Sequence, residues 1–337
     1  MTIQDELYSI VVHYLDKVKR SGSDEIMAIC PFHRKADGSP ERSGSFSMSL
    51  TKGLFICHSC KAKGNLRQFL KSMGASTTAL RHQYGPVIDA VQQLVLPRID
   101  HTKSKAPTNN DPLPESFLGL FDYCPLDLIK EGFTEATLLD FDIGFDAKHM
   151  RITFPIRDLT GKLVGISGRT VTDHPRRYKI YDQEYTEWGM PPRKIHMGDV
   201  VWNADRVYPQ VYFGQDVQLV VVEGFKACMW LQQAGITNTV ALLGSYLKQG
   251  QQWILEHLGG VVYVMMDNDD AGEKGAAQIG ASLSRSLKVR MVTFRPTAHQ
   301  PTDLCPTEIH QAIEQAEDFY LWEIRKGQIH GIRKTAY

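Results

Sequence analysis

Val261 to Met266 is an unbroken apolar run that leads straight into Asp267-Asn268-Asp269-Asp270-Ala271-Gly272. Three carboxylates this close repel one another unless something positive sits among them, and oxygen-rich clusters suit hard cations such as Mg²⁺, usually shared with substrate phosphates. Taken alone, the same residues also read as an acidic turn capping a helix that starts near Gly272. Two more acids stand in comparable places. Glu223 closes the apolar run Leu219 to Val222, and Asp303 follows Val289 to Phe294 in Gln300-Pro-Thr-Asp303. Glu223, Asp267, Asp269 and Asp303 together offer enough oxygen for one or two divalent ions, with Asp270 as a second-tier ligand.

A second constellation is sulfur-rich. Cys30-Pro-Phe-His33 and, after a gap of twenty-three residues, Cys57-His-Ser-Cys60 are two pairs at the spacing that lets one turn offer both ligands to one ion. Cys30, His33, Cys57 and Cys60 fill a tetrahedral shell, so a zinc ion there is structural and not hydrolytic. His58 could replace His33, but the two-by-two pairing favours His33. Phe46, Met48 and Leu50 alternate with serines, and Thr51-Lys52-Gly53 turns into Leu54-Phe55-Ile56, a hairpin carrying the second pair; such a domain is a zinc ribbon. Cys124, Cys228 and Cys305 are scattered, which is poor material for a disulfide framework.

Positive charge is segregated locally. Overall, 38 basic residues balance 38 acidic ones, so net charge announces no nucleic-acid partner. Yet Lys148 to Lys179 holds eight basic residues against two acidic. Arg151 to Arg157 and Leu163 to Arg169 read as two strands joined by Asp158-Leu-Thr-Gly161, so several arginines should project from a sheet edge, where their forks suit phosphate. Lys61, Lys63, Arg67 and Lys71, with Phe55 and His58 nearby, form a smaller patch suited to phosphates and stacked bases, or simply a solvated basic helix.

Four kinds of element must position these groups. An opening amphipathic helix carries Leu7, Ile10, Val11, Tyr14, Leu15 and Val18, with Thr2 and Asp5 as a capping box. Asn65 caps a short helix through Leu66, Phe69, Leu70 and Met73 that Gly74 stops. Arg98 to Glu115 is polar, rich in turn formers and aperiodic, a flexible linker that would let the zinc domain move. From Gln218 on, four strands alternate with helices, the pattern of a parallel α/β sheet whose strand ends gather Glu223 and the Asp cluster in one crevice. The expected layout is a zinc ribbon over 1–96, a linker over 97–115, a basic α+β subdomain over 116–215, an α/β domain over 216–305 and a helical tail over 306–337, its helix running from Thr307 to Arg325. No run reaches the length of a membrane span, and Asp5 and Glu6 stand where a signal peptide would be basic, so the chain reads as cytoplasmic.

Three blocks in order resemble the bacterial and phage replicative primases of the DnaG type. Cys30-Pro-Phe-His33 with Cys57-x-x-Cys60 and Lys63-Gly64-Asn65 resembles that family's CHC2 zinc domain. Phe154-Pro-Ile-Arg157-Asp158 with Gly165-x-x-Gly168-Arg169 resembles its N-terminal catalytic subdomain, with Gly132-Phe-Thr and Phe141-Asp-Ile-Gly144-Phe as the lead-in. Val222-Glu223-Gly224 with Asp267-Asn-Asp269-x-Ala-Gly272 resembles its Toprim signature. The resemblance implies a multidomain α+β and α/β chain that synthesises short RNA primers on single-stranded DNA. Its substrates would be ribonucleoside triphosphates, with one structural Zn²⁺ and one to three catalytic Mg²⁺ or Mn²⁺ ions. Glu223, Asp267 and Asp269 would hold the catalytic metals. Arg151, Arg157, Arg169, Arg177, Lys179, Lys194 and Lys226 would contact template or nucleotide. The family works with a replicative helicase, here one encoded separately, but the chain leaves no room for the family's helicase-binding domain, so helicase coupling cannot be assumed.

The sequence departs from the family at Gln300, where the third acidic motif usually begins with Asp, leaving Asp303 to serve; the loop between the zinc-ligand pairs is long, and Tyr185 to Asp199 follows no family pattern. The rival readings are a Toprim nuclease and a non-catalytic single-strand binding protein with a degenerate site. A topoisomerase would need a separate breakage domain with a Tyr nucleophile. A phosphatase of the Asp-x-Asp type would place its motif on the first strand.

Overall fold

The computed structural model describes residues 2–34, 38–41, 44–91, 110–181, 189 and 194–327. They divide into two compact units. The first takes the described residues up to 91, those from 110 to 196, and Ala204–Gln215; the second takes Met197–Asn203 and the residues from Asp216 on.

The first unit opens with α1 (Ile3–Val11), whose N-terminus is closed by the reciprocal Thr2 and Asp5 capping box and whose Leu7 and Val11 are fully buried. A five-stranded antiparallel sheet follows in chain order: β1 (Lys19–Ser21), β2 (Glu25–Ala28), β3 (Phe46–Ser49), β4 (Leu54–Cys57) and β5 (Lys63–Asn65). In β3 the apolar residues alternate inward as the serines suggested, and Phe46 pairs with Cys57 across the hairpin. Asn65 ends β5 and caps α2 (Leu66–Ser72); α3 (Gly85–Ala90) completes the small domain. Phe55 stacks on Phe32 at 5.3 Å and on Phe46 at 5.5 Å, with Phe69 edge-on at 5.7 Å. Phe55 is therefore core and cannot stack on a base, contrary to the expectation for the Lys61 to Lys71 patch. Fully burying each such ring contributes about 1.5–3 kcal/mol.

The same unit continues with a 3₁₀ turn (Glu115–Phe121), α4 (Leu126–Lys130), α5 (Glu135–Asp140) and a second antiparallel sheet in the order β6 (Gly144–Asp146), β7 (Arg151–Arg157), β8 (Leu163–Thr170) and β9 (Tyr178–Ile180); α6 is Ala204–Tyr212. The β7–β8 hairpin turns where expected: Asp158 Oδ1 accepts from the Thr160 and Lys162 backbone N–H groups, and Gly161 takes φ +88°. But β7 is an inner strand, so Arg151 and Arg157 do not sit on an edge. Both are largely buried.

Arg157 belongs to a buried charge cluster. Arg67 Nη1 meets Glu115 Oε2 at 2.6 Å and Arg67 Nη2 meets Asp142 Oδ2 at 2.7 Å; Lys71 Nζ lies 3.0 Å from Asp142 Oδ1; Arg157 Nη2 is 3.2 Å from Asp142 Oδ2, and its Nη1 pairs with Glu115. Burial disfavours the charged form of Asp142, but Arg67, Lys71 and Arg157 outweigh it and hold the carboxyl far below its usual range; Glu115 is lowered in the same way, by Arg157 and Arg67. This corrects two expectations. Part of the anticipated linker, up to residue 109, lies outside the described residues, but its end is no linker: Leu113 is buried with its N–H on Leu163 O, and Glu115 is fully buried. The Lys61 to Lys71 patch is also largely spent internally, since Arg67 and Lys71 belong to this cluster and Lys63 donates to Gln215, while Lys61 stays exposed.

The second unit is a parallel sheet, β11 (Thr239–Ala241), β10 (Gln218–Val222), β12 (Val261–Val264) and β13 (Lys288–Met291) in spatial order, interleaved with α7 (Phe225–Gln233), α8 (Gln249–Leu258) and α9 (Asp270–Leu283). The expected α/β pattern is therefore present. Two boundaries differ. Helix α9, expected to start near Gly272, begins at Asp270, because Asp269 serves as its N-cap. The single helix expected from Thr307 to Arg325 is two, α10 (Pro306–Glu314) and α11 (Phe319–Arg325), separated by β14 (Glu317–Asp318), which pairs antiparallel with β13. A two-residue acidic strand has no periodicity to read.

Asp142→Asn should cost about 3–5 kcal/mol in chemical denaturation at pH 7, because it leaves three buried cations facing one carboxylate. Because the folded pKa of Asp142 is depressed, its contribution is present above the ordinary carboxylate range and lost on acidification. The stability difference between wild type and variant should therefore hold from pH 7 down to about pH 4 and shrink as the pH falls further.

Candidate metal centres and nucleic-acid surface

Cys30 and His33 lie just beyond β2, Cys57 ends β4 and Cys60 lies in the turn to β5. Their donor atoms all fall within 4.8 Å of one another. Cys30 and Cys60 Sγ are 3.9 Å apart, and Cys57 Sγ is 3.8 Å from His33 Nδ1. A tetrahedral zinc with Zn–S bonds near 2.3 Å puts sulfurs about 3.8 Å apart, so the set fits that ion. Outer partners fix the ligands. His33 Nε2 bonds Glu41 Oε1 at 2.7 Å, which leaves Nδ1 for metal, and Ser45 bridges Glu41 and Cys57. The Phe32 and Cys60 N–H groups each reach a ligand sulfur at 3.4 Å. Glu41 and Ser45 were not legible as site residues, since the hairpin register alone brings Ser45 beside Cys57. His58 lies outside the ligand set.

The acidic site grows from the β10–β12 pairing, in which Val221 stands opposite Val264 and the strand ends emerge side by side. Glu223 leaves β10 and accepts from the Ser245 hydroxyl at 3.0 Å. Asp267 follows β12. Asp269 Oδ1 accepts the Gly272 N–H at 2.7 Å, capping α9, so the helix-cap reading and the ligand reading of this turn fall on one residue. Gly272 is obligatory, because a Cβ there would collide with the Asp267 carbonyl. Asn268 ties this turn to the segment leading to Asp303: its N–H bonds His299 O at 2.7 Å and its amide donates to Arg295 O and Ala298 O. Asn268 and Ser245 are positioning residues that their types alone did not reveal.

Electrostatics describe a site under strain from like charge. Burial first, then Glu223, Asp269 and Asp303, push Asp267 up to about 7; burial and Asp269 raise Glu223. Asp303 goes the other way. Slight burial works against it, but the His299 and Gln300 backbone N–H groups hold its carboxylate down, at 2.8 and 3.2 Å. Its Oδ2 is thus engaged in its own turn. Among the described residues only the Cys/His set closes to 4.8 Å, so the carboxylates converge more loosely. A cleft of about 470 Å³ opens beside Asp267 and Asp269, walled also by Phe294 and by Trp322, Arg325 and Lys326 of the C-terminal helix region.

The basic candidates divide. Arg151 and Arg157 are buried with their guanidinium groups on internal acceptors, and Arg169 is largely buried, 3.7 Å from Glu131. Arg177 and Lys194 are exposed, Lys179 is partly buried, and Lys226 sits in the first turn of α7.

The model of the CHC2 zinc finger family matches residues 1–82, and that of the Toprim-like family matches residues 220–304. A CHC2 zinc finger is thus followed in one chain by a Toprim-like domain. A DNA primase of Deinococcus radiodurans is 27% identical over 323 residues, 84% of this chain and 54% of the relative. One of Helicobacter pylori is 24% identical, over 89% of this chain and 57% of the relative. The chain thus spans little more than half the length of these curated relatives. In fold, it is similar to the zinc-binding and RNA polymerase domains of the Aquifex aeolicus primase, with a TM-score of 0.55 at 19% identity over 97% of this chain and 89% of that one. The CHC2 finger match contains all four candidate zinc ligands, and the Toprim-like match contains Glu223, Asp267, Asp269 and Asp303.

Measurements of metal content and of stability check these centres. Cys57→Ser should lose its zinc in elemental analysis, and Glu41→Gln should bind zinc about 10–100-fold more weakly in a chelator competition. For the Toprim-like centre, a raised folded pKa means that the apo protein holds a proton the unfolded chain has released. Stability should fall as pH rises from about 4 to about 7. The gain in melting temperature on adding a divalent cation should grow across that window, and Asp267→Asn should abolish the growth.

Proposed function

We propose that this chain acts as a DNA primase, joining ribonucleoside triphosphates into a short RNA primer on single-stranded DNA. The observation that carries the reading is the convergence of Glu223 and Asp267 at adjacent parallel strand ends, with Asp269 two residues on, in a chain that also holds a four-residue Cys/His cluster within a CHC2 zinc finger. The match to curated DNA primases supports the same activity.

The reaction is an in-line displacement: the 3′-hydroxyl of one nucleotide attacks the α-phosphate of the next, and pyrophosphate leaves. The donor set is all carboxylate, which suits Mg²⁺ or Mn²⁺, and the raised pKa of Asp267 reflects crowded negative charge that a cation would relieve. Such ions, when bound, lower the pKa of the attacking hydroxyl and neutralise the leaving group. Glu223 and Asp267 would bind at adjacent strand ends, with the Ser245 hydroxyl fixing one Glu223 oxygen. Asp269 keeps one oxygen on the helix cap and offers the other. Asp303, bonded to its own turn, would orient that loop and act as an outer acid. Asn268 would hold loop and turn together. Exposed basic groups, Arg177 and Lys194 among them, would hold the template backbone with an affinity that falls steeply with salt. The zinc ion would keep the finger folded and take no part in bond making. A separately encoded replicative helicase is the natural partner of such an enzyme.

The test is primer synthesis with single-stranded DNA, ribonucleotides and Mg²⁺ or Mn²⁺. Wild type should give short RNA products, and Glu223→Gln and Asp267→Asn should reduce them about 100-fold or more. Cutting of the DNA would replace this reading with a nuclease, and binding with no product would replace it with a single-strand binding protein.

A further inference from the structure

Arg151 carries a task that its burial reveals. It begins β7 and is 4% exposed, so it cannot lie against a nucleic-acid strand. Its guanidinium faces the loop between β8 and β9. Nη1 donates to Gly168 O at 3.1 Å, Arg176 O at 3.3 Å and Arg177 O at 3.5 Å; Nη2 donates to Arg176 O at 3.3 Å and reaches His174 Nδ1 at 3.5 Å. His174 Nδ1 also accepts the Arg176 N–H at 3.0 Å, which makes Nδ1 an acceptor and leaves the ring proton on Nε2. The loop closes further on itself through Thr170 N–H to Arg177 O at 2.9 Å, His174 N–H to Thr172 O at 2.8 Å and Thr172 N–H to the Thr170 hydroxyl at 3.1 Å.

The result is an asymmetry between backbone and side chain. Arg176 and Arg177 are held inward by their carbonyls, while both side chains are exposed and the neighbouring Tyr178 ring is 42% exposed. Two adjacent outward guanidinium groups beside an exposed aromatic face complement a single strand, whose phosphates are evenly charged and whose bases offer free faces. Only a planar fork with five N–H donors can hold several carbonyls at once; a lysine offers three donors from one point. Gly168 leaves room for the arrangement, since a Cβ there would press on the Tyr181 ring and on Arg151 Cδ.

We propose that Arg151 is a positioning residue, a buried clamp on the 170–177 loop that sets Arg176 and Arg177 to contact the phosphates of single-stranded DNA. This rests on the reading of the chain as a template-binding primase. A loose loop would have to freeze its backbone on binding, and the clamp removes that cost beforehand.

The experiment is fluorescence anisotropy of a labelled single-stranded oligonucleotide across a salt series, using the full chain with zinc bound. A double Arg176→Ala, Arg177→Ala variant should bind more weakly, and the slope of log affinity against log salt should fall by about 1.4, the value for two phosphate contacts on a single strand. Arg151→Met, which leaves both surface arginines in place, should weaken binding roughly tenfold, an effect the size of one lost phosphate contact. Arg151→Lys should fall between it and wild type. Added to the double variant, Arg151→Met should weaken binding no further, because the clamp has nothing left to position. A purely structural role would instead give an additive loss. Should Arg151→Met fail to fold, His174→Ala removes one acceptor from the surface side and should lower affinity with an unchanged melting temperature. Wild-type affinity in both Arg151→Lys and His174→Ala, or an additive loss in the combined variant, overturns the clamp. Absence of binding by wild type overturns the template-binding reading itself, and the clamp with it.

Discussion

Three cations and two carboxylates, Arg67, Lys71, Arg157, Glu115 and Asp142, are packed out of water where the CHC2 finger meets the antiparallel sheet that follows it. Desolvating so many charges is expensive, and a well-packed apolar cluster of the same volume could be as stable. What the charges add is direction, because each fork must meet a particular carboxylate. The helix α2 has two faces. Leu66, Phe69 and Leu70 enter the finger's core, and Arg67 and Lys71, four apart, leave it on the other side. The chain passes from Cys57 and Cys60 through β5 directly into that helix. Ligation of zinc therefore fixes more than the finger: it sets the helix whose charges fix the finger's orientation on the sheet.

Periodicity and spacing made most of the architecture legible. The ligand pairs, the serine-alternating hairpin, the Asn65 cap and the strand–helix alternation after Gln218 are local patterns, and local patterns survive folding. The errors are equally instructive. Arg151 and Arg157 were expected at a sheet edge because a hairpin by itself has two edges; the strands β6 and β9, three residues each, turn β7 and β8 into inner strands. Glu115 looked like linker because Pro and Asn surround it, while the cations that bury it lie far away in sequence. A charge with a remote partner gives no local sign of burial.

The acidic centre illustrates a different limit. Glu223, Asp267 and Asp269 could be named from strand ends, yet the residues that aim them, Ser245 and Asn268, act through single hydrogen bonds that no spacing rule announces. The site also differs from the zinc site in its donors. It gathers carboxylates alone, whose mutual repulsion, added to burial, pushes Asp267 up to about 7.

Gly272 and Gly275, one turn apart on α9, meet two different backbone carbonyls, those of Asp267 and Ser245, at distances that leave no room for a methyl group. The helix thus touches, main chain to main chain, the acid-bearing end of β12 and the loop after β11 whose Ser245 hydroxyl holds Glu223. Its first turn works as a gauge block: the gap between that strand end and that loop is set by covalent geometry and not by rotamer choice.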